Sequence, residues 1–454
     1  MRMTPEIRRI AERARRDPET QFTSLAHLIT VEALREAWRG LKKKPSAGID
    51  GMTAREYEQD LEERLKNLHE RLVTMKYRAQ PARRAYVPKE GGKRRPIGVL
   101  VVDDKVAQSA TRHILEAIYE QDFYNFSYGY RPERSPHQAL EELNNAIFRG
   151  RISYVLDVDI SAFFDSMDHK VLMELLRKRI KDRSILRLIA KWLHAGVMED
   201  GVRRHPKAGS PQGAVISSVL ANVYLHYVLD EWIEKTVRPR MRGEMKVVRF
   251  CDDTVFCLQY RDDAERLLGA LNKRLAKYKL QLNAEKTRLI KFGRYAEGQA
   301  KKQGRKPETF DFLGFTHICG KSREGKFIVK RKTAAKRLRR SMLRVTEWCR
   351  KHRHLPLQEQ YRQISSKLRG HFNYFGLIGN MRRLKAMEWH TVRTWRKWLN
   401  RRSQRGRMPW KRYEQILAVY PLPQPKILRV KVPNSFSMVN CSEEPDGGNL
   451  HVRI

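Results

Sequence analysis

The chain has 454 residues and carries 93 Lys and Arg against 51 Asp and Glu, a formal net charge of +42. A charge of that size repels itself in a compact fold unless anions accompany it, so nucleic acid is the expected partner. The 41% hydrophobic content excludes a disordered basic tail, no run of about 18 apolar residues predicts a membrane span, and Met1 to Arg16 lacks the apolar stretch of a secretory signal.

The length suggests about three domains. In chain order, helical spacing of apolar residues covers Met52 to Leu72, and a short alternating run predicts a strand at Arg84 to Val87. Helices are predicted over Asp104 to Tyr119 and Pro136 to Phe148, a strand over Ile152 to Asp159, and helices over Asp168 to Arg177 and Val215 to Glu234. Strands follow at Met245 to Cys251 and Thr254 to Leu258. Arg294 to Pro307 is polar, Gly-bearing and aperiodic, and reads as a loop that ends the mixed N-terminal two-thirds. Beyond it the helical pattern covers Thr333 to Cys349, Leu357 to Phe375, Arg383 to Arg402 and Trp410 to Val419. From Lys330 to Tyr420 there are 26 Lys and Arg, four Glu and no Asp, together with Trp348, Trp389, Trp395, Trp398 and Trp410. After Val430 the chain turns Pro- and Gly-rich and is expected to pack loosely. Five cysteines without a C-x-x-C pair argue against a disulfide framework and a structural zinc site, and Cys251 and Cys257 read as small core residues.

Two places carry the candidate chemistry. In SYVLDVDISAFFD, strand alternation puts Asp157 and Asp159 on one face. In VVRFCDDTVFCL, Asp252 and Asp253 lie between two apolar runs and belong at a hairpin turn. Asp-Asp at a turn can be turn chemistry alone. Beside a carboxylate at a strand end, it can also hold hard cations, because magnesium takes a few carboxylates together with water and phosphate oxygens. Two such ions about 3.5–4 Å apart serve both the attacking and the leaving oxygen of phosphoryl transfer.

Further blocks extend this pair. They are Ala47 to Thr53 (AGIDGMT), Val87 to Val99 (VPKEGGKRRPIGV), Asp159 to Asp165 (DISAFFD), Ser210 to Asp230, Phe250 to Asp253 (FCDD), Leu282 to Thr287 (LNAEKT), Phe312 to Phe315 (FLGF) and Leu368 to Gly376 (LRGHFNYFG). In this order, over roughly residues 25 to 430, they resemble a reverse transcriptase of the group II intron-encoded kind. The resemblance implies an α+β right-hand polymerase with an antiparallel palm sheet, followed by an α-helical thumb and a maturase domain. The implied boundaries are 1–80 for an N-terminal extension and the start of the fingers, 81–295 for fingers and palm, 308–355 for primer grip and thumb, 356–430 for the maturase domain and 431–454 for a tail.

The roles implied by the resemblance fall on matching positions. Asp159 and Asp252 would be the metal ligands, the Ile160 carbonyl would complete one shell, and Asp253 would support them. The cofactor is two Mg2+, with Mn2+ as a substitute. Lys89, Lys93 and Arg95 would bind the triphosphate, and Phe164 would exclude a 2′-hydroxyl by clash. Gln212 would contact the incoming nucleotide, with Gly213 allowing its approach, and Lys286 would serve the leaving pyrophosphate as proton donor or cation. Phe312, Leu313 and Gly314 form the primer grip, and Arg369, Arg382, Arg383, Arg396 and Lys397 are candidates for RNA contact. Phe163 is read as core, and His169, His194 and His205 as structural. The tryptophans of the last third read more readily as bundle core than as stacking platforms.

Partners implied are an RNA template, a structured intron RNA, a DNA primer or target and dNTPs, in the cytoplasm and without a membrane. FCDD replaces the family's Tyr-Ala-Asp-Asp, which loses a hydroxyl and adds bulk near the expected primer end. The zinc-bound endonuclease domain of many members is not expected here. Two rivals stay open: a stand-alone relative used in DNA repair or phage defence, and an RNA-binding splicing factor with a dead polymerase site.

Overall fold

The computed structural model describes residues 4–41, 46–88, 94–199, 202–204, 208–209, 213–403 and 407–428. Helices α1 (Pro5–Arg16), α2 (Val31–Gly40), α3 (Ala54–Gln59) and α4 (Leu61–Val73) precede strands β1 (Ala82–Pro88) and β2 (Arg94–Val99). Next come α5 (Val102–Tyr119), α6 (Pro136–Arg149), β3 (Tyr154–Val158), the short α7 (Phe163–Ser166), α8 (His169–Leu176) and α9 (Arg183–His194). Strands β4 (Val197–Glu199) and β5 (Val202–Arg204) lead to α10 (Ser217–Leu225), which runs on as π-helical turns at His226–Asp230 and Ile233–Val237. Strands β6 (Met245–Phe250) and β7 (Asp253–Leu258), helix α11 (Arg261–Lys277) and strand β8 (Arg288–Lys291) follow. The remainder is α12 (Ala296–Lys302), β9 (Thr309–Phe312), β10 (Phe315–Lys321), β11 (Phe327–Thr333), α13 (Ala335–Lys351), α14 (Leu357–Phe375), α15 (Met381–Asn400) and α16 (Trp410–Val419).

The architecture is α+β, with three sheets ordered β2-β1-β4-β5, β6-β7-β3-β8 and β11-β10-β9. The middle one is the palm sheet, and its strand pairs are all antiparallel. Strands β3, β6 and β7 read as nearly continuous apolar runs because both faces are covered, while the edge strand β8 buries only Ile290. Leu156, Val158 and Phe256 pack with Leu267 and Leu271 of α11. Val155, Val255 and Ile290 face Leu140 and Leu143 of α6 and the aromatic residues of β9 and β10. That second cluster continues without a break through Leu338, Ile364, Leu384 and Trp395, so the helical C-terminal region is built onto one face of the palm.

The N-terminal helices have no core of their own. Phe22, Leu25, Trp38 and Tyr57 join α5, α8, α9 and α10 in one cluster. Arg179 secures that junction by donating to the carbonyls of Asp17 and Thr20 (both 3.1 Å) while facing Asp122 at 3.1 Å. The Asp182 carboxylate caps α9 by accepting from Ser184 N at 2.7 Å, and it also accepts from Leu25 N at 2.6 Å.

Several elements differ from the sequence expectation. The helix expected over Met52 to Leu72 breaks at Asp60, whose ψ of 35° leaves the helical region. The 294–307 segment contains α12, where Ala296 is buried and the surrounding Ala, Gln and Lys favour helix despite Gly298. The β9–β11 sheet stands where no strands were expected, because polar residues occupy its inward positions: His317 and Thr333 are buried, and so is Arg331, which pairs with Glu141 at 2.9 Å. The tail beyond 428 lies outside the described residues.

Candidate active site

The carboxylates meet at one end of the palm sheet. Asp159 directly follows β3 and is fixed by the chain running into β8. Asn283 N donates to the Asp159 carbonyl at 2.8 Å, and Ser161 N donates to the Gln281 carbonyl at 2.9 Å. These two bonds flank the Ile160–Leu282 bridge, so Ile160's own carbonyl is not consumed by it. The same turn swings Lys286 inward, and its Nζ lies 2.8 Å from both Asp159 carboxylate oxygens.

Asp252 and Asp253 come from the β6–β7 hairpin, in which Phe250 pairs with Asp253 and Cys251-Asp252 makes the turn. Asp253 is therefore the first residue of β7, one position past the expected turn. Cys251 holds a left-handed φ of 59° and is 2% exposed, so its side chain lies in the core and the bulk expected near a primer end is absorbed by packing. A Cβ on Gly129 would fall 2.4 Å from Cys251 N, so only glycine lets the loop between α5 and α6 pass the turn.

Behind the turn lies a buried polar network that sequence reasoning missed. Arg249 is fully buried and pairs with the equally buried Asp230, Nε to Oδ1 at 2.7 Å. Its other nitrogens donate to the Cys251 carbonyl at 3.0 Å, Asn222 Oδ1 at 3.3 Å and Ser127 Oγ at 2.7 Å. Asn222 in turn donates to the Gly129 carbonyl at 2.7 Å. A signal was present, since an Arg inside the apolar run VVRF requires a buried partner and Asp230 closes the apolar helix of the preceding block.

The electrostatics are those of crowded acids. Burial raises Asp252, with Asp159 adding to the rise and Lys286 opposing it. Asp253 is pushed up to about 6 by dehydration and by Asp252 and Asp159, against Lys286 and Arg337. Asp253 is solvent-exposed, so water moderates its rise, whose direction is set by the protein packed behind it and by the neighbouring acids. Asp157, one pleat back, is pushed to about 7 by burial, opposed by Arg288 and reinforced by Asp253 and Asp159.

The arrangement fits hard cations. It gathers three carboxylates, and the cation in direct contact with them among the described residues, Lys286, bridges only the two oxygens of Asp159. Among the described residues no three His, Cys, Asp or Glu side chains form a closed cage. Magnesium does not need one, since it takes one or two carboxylates and completes its shell with water and substrate phosphate.

The other expected residues distribute as follows. Phe163 is 1% exposed core, and the partly buried Phe164 meets it edge-on at 5.5 Å. Tyr130, which sequence reasoning also missed, stands edge-on to Phe164 at 6.5 Å. Gly213 has φ 107° and lies against the Gly98 carbonyl, beside the strand that carries Arg95. Lys89, Lys93 and Gln212 lie outside the described residues, as do His205 and the side chain of Arg95. Phe312 and Phe315 pair across a two-residue turn in which Leu313 (φ 48°) and Gly314 (φ 82°) are both left-handed. Tyr374 Oη donates to the Leu313 carbonyl at 2.9 Å, and Arg337 lies beside Gly314 while acting electrostatically on Asp253. The turn therefore belongs to the acidic centre's surroundings.

Among the RNA candidates, Arg369, Arg382 and Lys397 are exposed and Arg383 is half-buried. Arg396 donates to the Met408 carbonyl at 3.1 Å and covers the Trp410 ring at 4.2 Å. Trp395 is core, as expected, but Trp389 is 61% exposed beneath Arg393. His169 is structural, with its Nε2 2.6 Å from the Gly209 carbonyl and its ring edge-on to His194.

A palm sheet with acids at one end, a basic strand pair beside it and a helical region on its flank defines a nucleic-acid polymerase. The chain belongs to the reverse transcriptase (RNA-dependent DNA polymerase) family, whose model matches residues 87–317. It is 32% identical over 321 residues to Protein YkfC of Escherichia coli (strain K12), covering 62% of this chain and 83% of that protein. It is 30% identical over 303 residues to Group II intron-encoded protein LtrA of Lactococcus lactis subsp. cremoris, covering 64% of this chain and 50% of that one. A shorter match, 30% identical over 145 residues, is to Nuclear intron maturase 4, mitochondrial, of Arabidopsis thaliana, covering 31% and 17%. The chain is accordingly of the group II intron type, a family that uses divalent metals and acts on nucleic acid. Among the described residues no helix is long and apolar enough to cross a membrane.

Proposed function

We propose that the chain is an active RNA-directed DNA polymerase that extends a primer 3′-hydroxyl with dNTPs on an RNA template. The observation that carries this reading is the convergence of Asp159, Asp252 and Asp253 at the β3 end and the β6–β7 turn, where burial first and the neighbouring carboxylates second raise Asp252 and Asp253. Asp159, Asp252 and the Ile160 carbonyl would hold two Mg2+, or Mn2+ in their place. When bound, such ions stabilise the attacking and leaving oxygens of phosphoryl transfer. Asp253 adds charge to the same floor. Lys286 holds Asp159 in the form described and must release it before donating a proton to pyrophosphate.

Phe164 is braced edge-on by Phe163 and Tyr130, so its ring cannot swing away from a 2′-hydroxyl without unpacking both. The left-handed Leu313-Gly314 turn offers backbone to a primer strand. Lys89, Lys93, Arg95, Gln212 and Gly213 remain the assigned dNTP contacts. The basic helices α13–α16 support a second role, binding the parent intron RNA to aid its splicing and retrohoming.

Primer extension on an RNA template tests the first reading. Asp252→Ala is expected to lower extension by roughly 10²–10⁴-fold, the value of several kcal/mol of transition-state charge stabilisation, while RNA affinity stays near the parent's. Extension at the parent's rate would remove the metal assignment. Phe164→Ala is expected to admit ribonucleotides, and an unchanged ratio of dNTP to rNTP use would remove Phe164 from the gate.

A further inference from the structure

Strand β3 has a second end, and the chain there builds another basic surface. Tyr154 pairs with Lys291 at that end, whereas Asp157 pairs with Arg288 toward the acids. The two ends, Tyr154 and Val158, are about 13 Å apart at some 3.3 Å per residue. Gly293 makes the corner. It has φ 145°, and a Cβ on it would fall 2.0 Å from the Ile152 carbonyl oxygen, so glycine alone lets the chain turn tightly onto the sheet. The turn delivers Arg294 and Tyr295, and α12 then packs on β10 through the buried Ala296.

Between the end of α6, this segment and the tip of the β10–β11 hairpin lies an open groove of about 780 Å³. Its walls carry the rings of Phe148, Tyr295 and Phe327 and the cations Arg294, Lys302, Lys321 and Lys326, against the lining carboxylate Glu297, with Lys326 paired to Glu324 at 3.0 Å. Tyr295 is 66% exposed and Phe148 42%. No carboxylate pairs with Arg294, Lys302 or Lys321 among the described residues. Water-facing rings interleaved with unneutralised cations are poor material for a core and suit a strand whose bases are free to stack.

We infer that this groove is a second nucleic-acid site that holds an unpaired RNA strand, with bases stacked on Tyr295 and Phe148 and phosphates on Arg294, Lys302 and Lys321. A duplex is disfavoured because its bases are stacked on one another and unavailable to the rings. The inference rests on the reading of the chain as an RNA-handling polymerase. The strand has two sources of the same chemistry: the overhang of the template being copied, or a loop of a separate folded RNA.

The test uses the full chain preloaded with a blunt template–primer duplex, so that the palm is filled. A labelled uridine oligonucleotide of about 12 residues is then titrated by fluorescence anisotropy. Tyr295→Ala is expected to weaken binding roughly five- to hundredfold, the value of one base–ring stack. Lys302→Glu with Lys321→Glu is expected to weaken it further and to flatten its salt dependence. A photoreactive uridine analogue should cross-link to peptides spanning 294–302 and 321–327. Variants that bind within about twofold of the parent, or cross-links found elsewhere, overturn the site. Competition separates the sources: displacement by lengthening the template overhang identifies the template, and displacement only by a looped RNA in trans identifies the separate RNA. Extension on a short template should be unchanged in both variants, and its absence in parent and variants alike would count against the polymerase reading instead.

Discussion

Around Asp252 the backbone is tied from behind, by Arg249 on the Cys251 carbonyl, Asn222 on the Gly129 carbonyl and Asn283 on the Asp159 carbonyl. Along α13–α16 the cations instead stand in water, and several rest on rings, as Arg393 does on Trp389 and Arg401 on Trp398. The two regions answer different demands. Transfer of a phosphoryl group tolerates little displacement of the acids that organise it. Tracking a phosphate backbone tolerates much, since its energy comes from summed charge and counterion release. A single change should therefore be severe in the first region and graded in the second.

The sharpest contrast comes from Arg249→Met. It leaves Asp230 charged, buried and unpaired, which is expected to cost about 3–5 kcal/mol in denaturant unfolding. It also frees the Cys251 carbonyl, so extension should fall further than stability alone explains. Replacing both partners, Arg249→Met with Asp230→Leu, should restore much of the stability, because a buried pair is often no better than packed apolar groups. It should not restore extension, which needs the turn held. Full activity in the double variant would make the pair mere packing and erase the contrast.

A smaller effect, and one of opposite sign, is expected at Asp157. Its folded pKa of about 7 lies above the ordinary carboxylate value because burial disfavours its charge. The folded protein then holds a proton that the unfolded chain has lost. The penalty is complete above pH about 7 and fades as pH falls toward the unfolded value near 4. Asp157→Asn should stabilise by roughly 1–3 kcal/mol at pH about 8 and by much less at pH about 5. Thermal melts at the two pH values check this, and a gain independent of pH would show that the acid is not dehydrated.

These features differ in how legible they were. The acids were readable because they punctuate apolar runs, and so were the palm strands β3, β6 and β7, whereas β8, a short edge strand with Arg288 and Lys291 at its ends, was not expected. The π-helical continuation of α10 toward Val237 was partly legible, as an apolar pattern running to Glu234. The β9–β11 sheet was not, because the inward set of KFIVKRKT is Val329, Arg331 and Thr333, and a face with a buried Arg and Thr shows no apolar alternation. The Arg249–Asp230 pair joins residues 19 apart through a contact that only the packed fold creates. Tyr130 was invisible for a related reason: its left-handed φ of 58° turns its ring toward Phe164, and nothing local in GYRPE announces that partner. Backbone pattern is written in the sequence at short range, while the fixing of a site from behind is written at long range.

The smallest expected effect discriminates within the basic region itself. Arg382 is exposed and Arg383 half-buried, and among the described residues neither has a carboxylate partner or an aromatic ring beneath it. Arg396 is tied to Met408 and Trp410. Arg382→Glu with Arg383→Glu should lower RNA affinity and reduce the slope of log affinity against log salt by about 1 per lost phosphate contact. Extension on a short template should hardly change. Arg396→Ala should instead act partly through packing, since the guanidinium covers an indole and caps a carbonyl, so the melting temperature should fall along with affinity. If Arg396→Ala moved only the salt slope, and Arg382→Glu with Arg383→Glu moved the melting temperature, the division between free and packed cations along α15 would be reversed. The graded behaviour expected of this surface would then have to be sought on α13 and α14.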